Sequence, residues 1–267
     1  MTETDTGPDV TVDEPAAGVR RLRIGNARHR GALSVDLLAE LERAILDVSA
    51  EVHCLLLTGS GETFSAGYDL RALGDPPDPA HAGATLAPDQ LRVLELLDQQ
   101  PLPIVTALNG PAIGGGLELA LAGDIRLAVP SASLAAPTGR LGVVYSGGGL
   151  ERLLAELPFA IGSELLLAGG ALTAARAFAL GLINQIVAAD QLEKVSIQTA
   201  AQIAQLAPLS ASAHRQALRS LRRQGPRLPA PDRERLVAAR EQALRSRDFA
   251  EGVRAFREHR PPHFLGG

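Results

Sequence analysis

Two glycine turns and one acid carry most of the chemistry this chain can offer. Ala66-Gly67-Tyr68-Asp69 follows one apolar run, and Gly114-Gly115-Gly116-Leu117-Glu118 follows another. A glycine turn that opens a helix leaves backbone N–H groups without intrahelical acceptors, and such a cradle holds negative charge. A nucleotide phosphate is one candidate for that charge. The dinucleotide fingerprint G-x-G-x-x-G would need glycine at 119, where Leu119 stands, and no Gly-Lys-Ser/Thr follows. Glu118 can move a proton, or simply stabilise the first turn of a helix. Lys194 is the only lysine, so Schiff-base chemistry is excluded almost everywhere. The six histidines (29, 53, 81, 214, 259 and 263) lack metal-ligand spacing such as H-E-x-x-H, and no metal site is expected. No serine stands in G-x-S-x-G, which disfavours a serine hydrolase. Cys54 is the only cysteine. It reads as a small core residue, and its solitude points to a reducing, cytoplasmic compartment.

These residues need a scaffold. The 267 residues are 46% hydrophobic, enough for a large core. A net charge of −4 gives no sign of a nucleic-acid partner, and no apolar run is long enough to span a membrane. Residues 1–18 carry acids and no Lys or Arg, so they read as a loose lead-in rather than a secretory signal. A strand is predicted over 19–24. Ser34 then caps an amphipathic helix carrying Val35, Leu38, Leu41, Ile45 and Val48. Continuous apolar runs predict buried strands over 52–57, 103–108 and 125–129. Residues 71–88, with four prolines and two glycines, predict a long surface loop. Helices are predicted over 90–99, from 114 to about 122, and over 147–157, 161–168, 173–180, 190–206, 208–223, 232–246 and 248–258. Asp190 and Glu193 have capping-box spacing. The pattern is that of an α/β core followed by a helical layer.

Taken in order, the motifs are more specific than either alone. Phe64-Ser65-Ala66-Gly67-Tyr68-Asp69-Leu70 resembles the F-x-A-G-x-D-[LI] motif of the enoyl-CoA hydratase/isomerase (crotonase) superfamily. The stretch from Asn109 to Ala120 resembles that family's N-G-x-A-x-G-G-G-x-E-L-A, at a spacing of about forty residues that also fits. Gly123-Asp124-Ile125-Arg126, Leu141-Gly142-Val143, Thr173-Ala174-Ala175-Arg176-Ala177 and the closing segment from Glu251 to Phe264 extend the likeness over roughly residues 19–264.

The resemblance implies an α/β fold of ββα units turning into a superhelix. The crotonase core would occupy 19–200, and a C-terminal helical region that packs on neighbouring subunits would occupy 201–267. It implies an acyl-CoA substrate, coenzyme A being part of the substrate with no separate cofactor, and a homotrimer or dimer of trimers. Leu236, Ala239, Ala243, Leu244, Val253 and Phe256 repeat at near-helical spacing as the apolar face for such contacts. By motif position, the N–H groups of Tyr68 and Gly115 would hold the thioester oxygen. Ala66, Asp69 and Leu70 would contact the adenine and pantetheine. Arg28 and Arg30 are candidates for the CoA phosphates, or are solvated surface charges. Glu118 matches one of two hydratase glutamates. Thr138 falls in the slot of the second and cannot ionise near neutral pH, so a water held between two carboxylates is not available. Leu141-Gly142-Val143-Val144-Tyr145-Ser146 resembles the L-G-V-x-Y segment of family decarboxylases acting on methylmalonyl-CoA, where the tyrosine lines the acyl pocket. Tyr145 alternatively only packs on the core. Isomerisation, decarboxylation and binding without turnover all remain compatible with these residues, and a nucleotide-binding regulator is the rival from another class.

Overall fold

The computed structural model describes residues 10–25, 29–73, 88–145 and 147–267. Its main sheet has six strands in the order β1-β2-β4-β6-β8-β11: β1 (Val10–Ala16), β2 (Val19–Ile24), β4 (Cys54–Gly59), β6 (Ile104–Leu108), β8 (Ile125–Ala128) and β11 (Gln185–Ile186). All neighbours are parallel except β1 and β2. The strands expected at 19–24, 52–57, 103–108 and 125–129 are therefore the centre of the sheet. The apolar runs of β4 and β6 are buried on both faces, with every residue buried, whereas β2 buries Val19, Leu22 and Ile24 among three half-buried arginines. Cys54 lies here, and burial pushes its thiol up to about 12, as befits an inert core residue.

Short strands complete the layer above. β3 (Ala32–Leu33) pairs with β5 (Gly67–Tyr68), and β7 (Ala112–Ile113) pairs with β9 (Ser133–Ala135), which pairs in turn with β10 (Ala171–Thr173). Between the strands run α1 (Val35–Leu46), α2 (Pro88–Gln99), α3 (Gly115–Leu121), α4 (Gly147–Glu156), α5 (Phe159–Ser163) and α6 (Ala174–Ala179). The helix expected over 161–168 divides into the end of α5 and one π turn, Glu164–Ala168. The Ser34 hydroxyl accepts the Leu37 N–H at 3.1 Å, the predicted cap of α1. No helix among the described residues is long and apolar enough to cross a membrane.

The lead-in expected over 1–18 is corrected from residue 10 onward. Asp13 stands opposite Arg21 in the β1–β2 register and takes its guanidinium on both oxygens, at 2.7 and 2.5 Å. Glu14 pairs with Arg20 at 3.2 Å. The acids that gave the segment the look of a solvated tail are the partners of the β2 arginines. Pro15 is tolerated because β1 is an edge strand. The capping box at Asp190 and Glu193 is also absent. α7 (Leu192–Ala204) has no side-chain cap, and Glu193 instead reaches Arg21 at 2.5 Å, a charge-assisted bond that competes successfully with a neutral N–H donor.

The C-terminal helices are α8 (Pro208–Gln224), α9 (Ala230–Leu244) and α10 (Arg247–Arg257). Buried charges fasten α8 to the core. Arg215 Nε bonds Asp124 Oδ2 at 2.7 Å. Arg219 bonds Asp124 Oδ1 at 3.0 Å through Nε and Asp98 Oδ1 at 3.1 Å through Nη1. Arg126 donates to the carbonyls of Leu182 and Gly123, both at 2.6 Å, and pairs with Glu156 at 3.2 Å. Buried guanidiniums persist only when paired and hydrogen-bonded this fully.

Candidate active site

Strands β4 and β6 are parallel neighbours, with Thr58 opposite Ala107. The chain therefore leaves both at the same edge of the sheet, where ligands of open parallel sheets characteristically bind. Each strand feeds one of the glycine motifs. Asn109 stitches the two exits together: its Oδ1 accepts the Gly59 N–H at 3.0 Å, and its Nδ2 donates to the carbonyls of Gly61 at 2.8 Å and Thr63 at 3.1 Å. Phe64 and Ser65 both donate to the Pro111 carbonyl, and the Ile113 N–H returns to Ser65 O at 3.0 Å. The buried Ser65 hydroxyl donates to Gly31 O at 2.7 Å and accepts the Gly67 N–H at 3.2 Å.

Glycine is required where the loops meet. Gly67 has φ +82°, and a Cβ there would lie 2.4 Å from the Ile113 carbonyl and 3.2 Å from the Gly115 nitrogen. A Cβ on Gly116 would lie 2.5 Å from Ser65 O. The Tyr68 and Gly115 peptides are thus brought together from positions 47 residues apart in the chain. Gly115 is the first residue of α3, after Gly114 as N-cap with no side-chain cap. Its N–H stands at the end of the helix where donors have no intrahelical acceptor.

Glu118 lies one turn further along α3 and is 6% exposed. Burial pushes its carboxyl up to about 7, against an opposing pull from the Arg152 guanidinium. A carboxyl poised there both gives and takes a proton at neutral pH. Tyr145 is half-buried and packs against the core. Its hydroxyl is buried without a hydrogen-bond partner. Burial raises the phenol's pKa and the Glu118 charge raises it further, so the two groups are close enough to sense one another and Tyr145 stays a neutral donor.

Other motif residues take different places. Thr138 opens a 3-10 turn, and its carbonyl accepts the Leu141 and Val143 N–H groups at 3.0 and 3.1 Å. Its backbone shapes the loop leading to Tyr145. The Asp69 carboxylate is held by Arg71, at 2.8 Å through Nε and 2.7 Å through Nη2, which lowers its pKa. The Ala66 N–H donates to the Arg30 carbonyl at 2.9 Å, and Leu70 is exposed. Ala66, Asp69, Leu70 and Arg30 therefore share one rim beside β3 and β5. Arg28 and most of the expected loop at 71–88 lie outside the described residues. Sequence reasoning missed Arg152, whose guanidinium pairs with Asp98. It is one arginine among many, with no motif to mark it.

A parallel sheet whose strand ends present two interlocked glycine turns beside a buried, near-neutral carboxyl defines the candidate site of an α/β enzyme. The chain matches the family described as enoyl-CoA hydratase/isomerase over residues 14–267 and belongs to that family of acyl-CoA enzymes. It is 34% identical to a carnitinyl-CoA dehydratase of Salmonella arizonae, covering 98% of this chain and 97% of the relative. It is 29% identical to the methylmalonyl-CoA decarboxylase of Escherichia coli, covering 96% and 97%. The crystal structure of an enoyl-CoA hydratase from Bacillus anthracis superimposes with a TM-score of 0.87 at 28% identity, over 97% of this chain and all of that one. The fold is accordingly crotonase-like.

Proposed function

We propose that this protein converts an acyl-CoA thioester through its enolate. The N–H groups of Tyr68 and Gly115 hold the thioester oxygen, and Glu118 moves the proton. The observation that carries this reading is the buried Glu118 carboxyl, poised at about 7, one helical turn beyond Gly115. An enolate places negative charge on the thioester oxygen, and donors fixed by the fold need no reorganisation when it forms. One carboxyl suffices to take the α-proton and return it to a neighbouring carbon, or to a departing hydroxyl, so isomerisation and dehydration both fit a site with Thr138 in place of a second acid. The similarity to carnitinyl-CoA dehydratase favours the lyase direction. Coenzyme A enters as part of the substrate, along the rim formed by Ala66, Asp69 and Leu70.

The unpartnered Tyr145 hydroxyl favours a second reading. A methylmalonyl-type thioester carries a carboxylate that this donor could orient, and loss of CO2 generates the enolate with no base. A panel of 3-hydroxyacyl-, enoyl-, malonyl- and methylmalonyl-CoA, assayed with the parent protein and with Tyr145→Phe, separates the readings. Dehydration or isomerisation should survive the loss of the hydroxyl. Decarboxylation should fall about 10-fold or more, as expected for a lost hydrogen bond to a charged group. Binding of every thioester with turnover of none would point to a non-catalytic acyl-CoA-binding protein.

We also propose that the protein assembles as a homotrimer or a dimer of trimers. None of the α9 residues is buried, and Leu244, Phe249 and Phe256 are exposed around an apolar groove that also includes Ala243, Val253 and Phe264. Such a face is characteristic of an interaction surface. Light scattering at micromolar concentration should give a multiple of three protomers, and a clean monomer would refute the assignment.

A further inference from the structure

Helix α3, which carries Glu118, packs against β3, β5, β7, α2 and α4. The charged and titratable groups on those neighbours are few. β3 and β7 carry none, and β5 carries Tyr68. On α4, Glu151 is exposed and Glu156 is tied to Arg126 and Arg222, leaving Arg152. Among the described side chains of α2, Arg92 pairs with Glu42 and Glu95 is exposed, leaving Asp98. Tyr145 precedes α4. Arg152 is the cation whose field reaches Glu118. It is not paired with Glu118 but with Asp98.

Asp98 is well placed to keep it there. Its side chain is nine-tenths buried and takes Arg152 on one oxygen and Arg219 of α8 on the other, with Arg223 at 3.8 Å. Arg219 is itself anchored on Asp124. The acid between the two arginines therefore belongs to a chain of ion pairs running from the C-terminal helices to the neighbourhood of Glu118. The Arg152 Nε–H is buried without an acceptor, so the guanidinium has a donor to spare if Asp98 releases it.

We propose that Asp98 and Arg152 are positioning residues for the proton on Glu118: Asp98, fixed by Arg219, holds the Arg152 guanidinium away from the Glu118 carboxyl, so that Glu118 retains a proton to give. This rests on the reading of Glu118 as the acid/base of the reaction. The physical choice is simple. A cation released beside a buried carboxyl favours the charged form, and removal of the cation favours the neutral form.

The chain supplies its own reporter, having no tryptophan and only two tyrosines. In a Tyr68→Phe background, Tyr145 is the sole strong fluorophore, and a phenol is quenched when a neighbouring carboxyl ionises. Its fluorescence should titrate with a midpoint near 7, the value of the Glu118 carboxyl, and this transition should vanish in Glu118→Gln. Asp98→Asn should lower the midpoint by about one pH unit, and Arg152→Gln should raise it by about as much. Arg152→Lys, which keeps the charge, should fall between Arg152→Gln and the parent. The proposal is overturned if neither substitution moves the midpoint, if both move it the same way, or if the transition survives Glu118→Gln. Should Asp98→Asn fail to fold, the Gln and Lys variants at 152 decide, and a shared midpoint for those two overturns the proposal. The signal is read without substrate. A protein that turns over no acyl-CoA would therefore refute the proposed reaction while leaving this coupling to be judged by the titration.

Discussion

Gly115→Pro should lower turnover by about 10²–10³-fold and leave the protein folded. The substitution deletes one N–H, and losing one oxyanion donor typically costs about 2.7–4 kcal/mol in the transition state. The position suits the test. Gly115 is the first residue of α3, and proline is well tolerated at the first helical position because the missing N–H has no intrahelical acceptor there. Circular dichroism and a thermal melt should therefore resemble those of the parent. Tyr68→Phe is the matching control, since it keeps the backbone donor and should hold the rate within a few-fold. A folded Gly115→Pro variant with the full rate on the true substrate would remove Gly115 from the mechanism.

The sequence made the centre of this fold legible because burial on both faces writes a continuous apolar run. Strands β4 and β6 were visible for that reason, β2 and β8 showed as shorter candidates interrupted by arginines, and Ser34 announced α1 because a cap is a local interaction. What depended on pairing across the chain was not legible. β1 was hidden because its acids could be recognised as strand residues only once Arg20 and Arg21 were set opposite them. β3, β5, β7, β9, β10 and β11 have two or three residues each, too few to show a period. The two glycine motifs were readable as sequence, but their contact depends on β4 and β6 being parallel neighbours, which no local pattern states. The Asp98–Arg152 pair joins residues 54 apart on two helices, and in a chain this rich in arginine nothing singles it out. The acidity of Glu118 was equally out of reach. Its motif position marked it as a candidate, whereas its carboxyl is perturbed by burial beneath α2 and α4.

Glu118→Gln should lose activity and gain stability above neutral pH. The parent carboxyl keeps its proton in the folded state up to about 7, while in the unfolded chain it releases it near 4.5. Between those values the folded state binds more protons than the unfolded state, so stability falls as pH rises through that window. At about 1.4 kcal/mol per pH unit, the full loss reaches about 3 kcal/mol by pH 8. Glutamine cannot ionise, so the variant should match the parent near pH 4.5 and exceed it by up to about 3 kcal/mol at pH 8 in denaturant melts. The opposite sign follows if Glu118 merely stabilises the first turn of α3. A charged first-turn acid contributes about 0.3–1 kcal/mol, and its removal would weaken the protein at pH 8. The kinetic readout divides the reaction classes. A single general acid/base is worth about 10²–10⁴-fold, so dehydration or isomerisation should fall by that order, whereas decarboxylation breaks its bond without removing a proton from carbon and should change little. A variant weakened at pH 8 with an unchanged rate on every thioester would return Glu118 to a structural role. A stabilised variant that still decarboxylates would instead move the chemistry to Tyr145 and leave Glu118 as the buried acid that keeps its phenol neutral.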